Sequence, residues 1–101
     1  MKDDILNDQW EAIAVAPVDA KRAAYLKYCQ LAIAAVYAER LSISEASYAL
    51  CGISAQVLEH LAPEDKRIMD IACDLELPEA QRAHPSGDWQ RLVATVQRLL
   101  A

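Results

Sequence analysis

DAKRAAYLKYCQLAIAAVYAERL, residues 19–41, is the stretch whose reading decides the fold. No glycine or proline interrupts it, and its commonest residue is alanine, the strongest helix former. Leu26, Cys29, Ile33 and Val36 recur at spacings of three and four, which puts them on one helical face. A face of that kind must be covered, so the spacing predicts a central helix over 19–41, about 34 Å long at about 1.5 Å per residue. Asp19 is placed to cap it. Tyr25, Tyr28, Ala32 and Ala35 form a second stripe beside the first. Either the final helix of the same chain covers that stripe, or a homodimer partner or another protein's helix does.

Working outward, Pro17 closes a first helix that begins at Asp3 or Asp4 and runs to about Val15, with Ile5, Leu6, Trp10, Ile13 and Ala14 as its inner face. Downstream, Ser42-Ile43-Ser44-Glu45 fits a capping box, in which serine and glutamate satisfy each other's free backbone donors. The helix it starts is expected to stop at Gly52 in the left-handed conformation. Ser54 then caps a short second helix to about Leu61, giving a helix-turn-helix-like corner over 44–61. Pro63, with Glu64 and Asp65 after it, opens a helix to about Leu77 that buries Ile68, Met69, Ile71, Ala72 and Leu75, and Pro78 closes it. Residues 79–88 read as a loop. Asp88 caps a last helix that turns Trp89, Leu92, Val93, Val96, Leu99 and Leu100 inward and leaves Arg91 and Arg98 outside. The expected fold is all-α, a single domain of five or six helices around residues 19–41.

Composition agrees with this. Hydrophobic residues reach 54% while glycine and proline number only two and four, too few for the many turns of a β-sandwich. At 101 residues the chain supports one core. Phenylalanine is absent, so the four tyrosines and two tryptophans carry all the aromatic bulk. No run of about 18 apolar residues is present to span a membrane. The start, Met1-Lys2-Asp3-Asp4, lacks the basic and apolar pattern of a secretory signal. Cys29, Cys51 and Cys73 are odd in number, far apart and set among apolar residues. They read as small core hydrophobes rather than a disulfide framework, and the chain as a soluble protein of the reducing cytoplasm.

The net charge of -5 disfavours nucleic-acid binding, which needs clustered basic residues facing phosphates. The corner sharpens this: Ala55 to Leu61 holds no lysine or arginine, only Gln56 and His60 as base readers, and Glu59 would face phosphates. No cysteine or histidine pair, counting His60 and His84, has the close spacing of a zinc knuckle. Asp70 and Asp74 sit one turn apart on an acidic helix, without a partner base or phosphate cradle in the sequence. No catalytic residue, cofactor or metal is therefore assigned.

Function is expected to lie in binding. The leading reading is a non-enzymatic protein-binding domain of inhibitor, immunity, antitoxin or adaptor type, presenting acidic helices to a basic protein. Its contact residues are expected to be Tyr25, Tyr28 and Tyr48 together with Asp65, Asp70 and Asp74. The competing use of the tyrosines is to fill a core that has no phenylalanine. The alternative is a nucleic-acid-associated regulator acting through the 44–61 corner, with Lys21, Arg22 and Lys27 gathered on the same surface. A small enzyme would be marked by a cleft holding a carboxylate with a strongly shifted pKa.

Overall fold

A computed structural model describes residues 4–52, 57–77, 81 and 87–100, and within them five α-helices and no strand. They are α1 (Asp4–Val15), α2 (Lys21–Tyr37), α3 (Ile43–Gly52), α4 (Lys66–Glu76) and α5 (Asp88–Leu100). α2 packs against α1, α3 and α5, while α4 lies on α3 and α5. Both stripes of α2 are consequently inside: Tyr25, Leu26, Tyr28, Cys29, Ala32, Ile33 and Ala35 are all buried, and Val36 is half-buried. The second stripe is thus covered within the chain itself.

Local chemistry sets where each helix begins and ends. α1 stops before Pro17, and the Lys21 ammonium donates back to the Ile13 and Ala14 carbonyls at 2.9 and 3.3 Å, groups left open at a helix end. Asp19 does not cap α2. It lies in a 3-10 turn, Val18–Ala20, which feeds directly into the helix. α2 also ends sooner than its apolar pattern predicts, because Glu39 takes the left-handed conformation at φ 61°. The Glu39 and Arg40 N–H groups donate to the Val36 and Ala35 carbonyls at 3.0 and 2.9 Å, the paired bonds of a Schellman stop, and Leu41 turns back into the core.

The capping box forms as read: Ser42 N–H donates to Glu45 Oε1, and Glu45 N–H donates to Ser42 Oγ, each at 3.0 Å. Gly52 remains in α3 with no left-handed φ, so it ends the helix without the expected conformation. Residues 53–56, on which the start of the second helix of the corner falls, lie outside the described residues. Leu58–His60 forms a 3-10 turn rather than the end of an α-helix reaching Leu61. α4 starts later than Pro63, but its expected inner face of Ile68, Met69, Ile71, Ala72 and Leu75 is buried in full. Most of the predicted 79–88 loop, including His84, lies outside the described residues, as does Pro78.

Two further expectations are corrected. On α1 only Leu6 and Ile13 are buried, whereas Ile5, Trp10 and Ala14 face outward, because α1 rests mainly on one neighbour and hides only a narrow stripe. Second, Cys51 and Cys73 are joined as a disulfide. The packing of α3 on α4 brings their Cα atoms to 5.6 Å across 22 residues of sequence, and Cys73 sits on the exposed flank of α4 rather than in the core. Cys29 alone is a buried thiol, pushed up to about 12 by burial. A disulfide belongs to oxidising surroundings, so cysteine usage no longer argues for a reducing compartment. No helix among the described residues is long and apolar enough to cross a membrane.

Candidate functional site

α4 and α5 lie side by side with an open cleft of about 430 Å³ between them. Arg67, Asp70 and Ile71 line it from α4, and Arg91, Ala94, Thr95 and Arg98 from α5. Those spacings of three and four put each set on one face of its helix. Ile71 and Thr95 are the buried residues of the lining, Thr95 Oγ1 donating to the Arg91 carbonyl at 2.8 Å, while Arg67, Arg91 and Arg98 are exposed. Three guanidinium groups against one carboxylate make this a positive cleft on a negative protein.

Arg91 is anchored from behind. Its Nη1 donates at 2.9 Å to Oδ1 of Asp88, which is 1% exposed, while the Arg91 side chain is 56% exposed. The Asp88 carboxyl is pushed up, first by burial and then by the Asp74 carboxyl beside it, against the pull of Arg91. Two carboxyl groups placed together repel once both are ionised, so the neighbour disfavours loss of the proton. Asp88 and Asp74 therefore form a carboxyl pair behind the cleft wall and are not among its lining residues.

The expected contact residues separate into inner and outer groups. Tyr25 and Tyr28 are wholly buried, so the core-filling use prevails and neither can present a face to a partner. Asp65 is also 0% exposed. Arg22 Nε and Nη2 donate to its two oxygens at 2.7 and 3.0 Å, and Ala62 N–H donates at 2.9 Å. Burial would raise the Asp65 carboxyl, but the bonds from Arg22 and Ala62 and the charge of Arg22 outweigh it and hold it below the ordinary range. Of the three aspartates expected at the contact face, only Asp70 is exposed, and it stands among the arginines of the cleft, while Asp74 is half-buried. Tyr48 is exposed on α3. Arg67 is the cleft arginine that no sequence pattern marked, since its role depends on α5 lying alongside.

A second group of ligand-type side chains gathers at the α3–α4 contact, where Cys51 and Cys73 Sγ and a Glu76 carboxylate oxygen lie within 4.8 Å of one another. Comparison with protein-family models, with curated proteins and with solved structures finds no match for this chain.

Proposed function

We propose that this is a non-enzymatic protein-binding domain, of inhibitor, immunity, antitoxin or adaptor type, whose contact face is the α4–α5 cleft. The observation that carries the reading is the convergence of Arg67, Arg91 and Arg98 on one open cleft. Guanidinium groups bind carboxylates through paired N–H donors, so the partner offers an acidic segment rather than the basic surface that charge alone implies. Asp70 within the cleft sets register by repelling an acidic side chain placed against it. A binding role is supported by the position of Asp88, whose carboxyl is raised: it is buried, bonded to Arg91 and not among the residues that line the cleft.

The test is affinity capture with the wild type and with Arg67→Glu/Arg98→Glu, each treated with nuclease. Both arginines are exposed, so the variant should keep its helical circular dichroism. A stoichiometric protein with an acidic segment, retained after nuclease and lost from the variant, is the expected result. Capture by the variant equal to wild type, or capture abolished by nuclease, would reject the proposal, the latter in favour of nucleic acid.

A further inference from the structure

We infer that Cys51, Cys73 and Glu76 form a zinc site in the reduced protein, and that the Cys51–Cys73 disulfide is the closed, metal-free state of the same three ligands. The argument begins with placement. Cys73 and Glu76 lie three residues apart on α4, hence on one side of that helix, and Cys51 reaches them from the last turn of α3. The three ligand atoms already fall within 4.8 Å. Tetrahedral zinc, with zinc–sulfur bonds of about 2.3 Å, needs two sulfurs roughly 3.8 Å apart, a separation the pair reaches by side-chain rotation once the bond between them is cut.

Nothing in the helix contact has to give way for this. α3 and α4 pack closely, and each buries an apolar face, with Ala46, Ala49 and Leu50 on α3 and Ile68, Met69 and Ala72 on α4, so the thiols remain neighbours after reduction. Cys51 is half-buried and Cys73 and Glu76 are exposed, which gives an ion a path in from water and leaves a fourth position for a water molecule. Two thiolates beside a carboxylate favour a soft ion such as zinc over magnesium or calcium, which prefer all-oxygen sites.

The chemistry balances. A small-molecule thiol reduces the disulfide, two equivalents giving their own disulfide and leaving Cys51 and Cys73 as thiols. Zinc then binds both sulfurs and the Glu76 carboxylate with release of two protons. A small-molecule disulfide reverses the order: the two protein sulfurs bond to each other, two electrons pass to the small disulfide, which leaves as two thiols, and the metal is expelled because the thiolate charges that held it are gone.

Cobalt(II) reports this site directly, because thiolate ligation gives a near-ultraviolet charge-transfer band and tetrahedral geometry gives strong visible bands. Reduced protein, freed of reductant under argon, should bind one cobalt per chain with both signals and lose them on addition of one equivalent of zinc. Oxidised protein and Cys73→Ser should show neither. Glu76→Gln, a change at an exposed position, should keep its helical signal and lower zinc affinity at least about tenfold. Cys29→Ser should match wild type. The inference is overturned if reduced protein shows no charge-transfer band, if the oxidised protein shows the same band, or if Cys29→Ser rather than Cys73→Ser abolishes it.

Discussion

Asp65 and Asp88 are both buried aspartates at the start of a helix, and both are bonded to an arginine, yet their carboxyl groups shift in opposite directions. Burial opposes ionisation in each. Asp65 receives three N–H donors, two from Arg22 and one from the Ala62 backbone. Asp88 receives Arg91 Nη1 on one oxygen and faces the Asp74 carboxyl. Donor supply, not burial, therefore decides the direction of the shift. The difference also divides the molecule: Asp65 ties α2 to the start of α4 inside the fold, whereas Asp88 holds a wall of the cleft.

The limiting case is a buried carboxylate with no donors. Ala35 is wholly buried on α2, so Ala35→Glu should destabilise the domain by more than about 4 kcal/mol, combining overpacking with an unpaired charge. With a total stability of about 5–15 kcal/mol usual for a small domain, much of the variant should be unfolded or melt far below wild type. Circular dichroism on heating checks this. A variant that kept its helicity and thermal midpoint would mean that α2 is less enclosed than its packing indicates.

Arg22→Ala withdraws two of the three donors from Asp65. The Arg22 side chain is itself 44% exposed, which moderates the effect, so a loss of about 2 kcal/mol at pH 7 is expected in urea unfolding. The pH dependence has a definite sign. Because the folded carboxyl lies below its unfolded value near about 3.9, the stabilisation is complete above that value and disappears as pH falls through the folded one. Wild type and Arg22→Ala should differ at neutral pH and converge in strong acid.

Asp74→Asn should do the reverse at the other aspartate. In wild type, Asp88 binds its proton more tightly folded than unfolded, so stability drops as pH rises from the unfolded value toward the raised folded one. An amide at position 74 can donate to Asp88 and removes the competing acid. The expected gain is on the order of 1 kcal/mol at pH 7, shrinking to nothing once both carboxyls of the wild type are protonated. A loss at pH 7 would show that the carboxyl pair is a stabilising shared-proton contact instead.

How far the sequence reveals these sites depends on how many elements each one needs. The α4 core face is legible because Ile68, Met69, Ile71, Ala72 and Leu75 repeat sharply against charged neighbours. α1 misleads because Ile5, Leu6, Trp10, Ile13 and Ala14 cover more of the helix than its single main neighbour can hide. The length of α2 misleads because apolar periodicity continues past Tyr37 although the backbone reverses at Glu39. Half the cleft is readable, in Arg91 and Arg98 on the outer face of α5; Arg67 gains meaning only from the α4–α5 packing. Asp65, Asp74 and the Cys51–Cys73 pair each find their partner across a tertiary contact, which helical spacing cannot show.

Tyr25 extends the comparison to a polar group without charge. Its hydroxyl is buried beside the Cys29 thiol and has no hydrogen-bond partner of good geometry among the described residues. Burial, with Cys29 next, drives the phenol well above its ordinary pKa, so it stays neutral. Were the hydroxyl well bonded, its removal would cost about 1 kcal/mol or more; left unsatisfied, it already carries a desolvation penalty that phenylalanine avoids. Tyr25→Phe should thus leave stability unchanged or raise it by up to about 1 kcal/mol, with the ring still filling the same space. Urea unfolding resolves the two cases. A clear loss would assign a working hydrogen bond to the Tyr25 hydroxyl and Cys29 Sγ, and would place this neutral group with Asp65 as a satisfied buried contact rather than with the crowded Asp88.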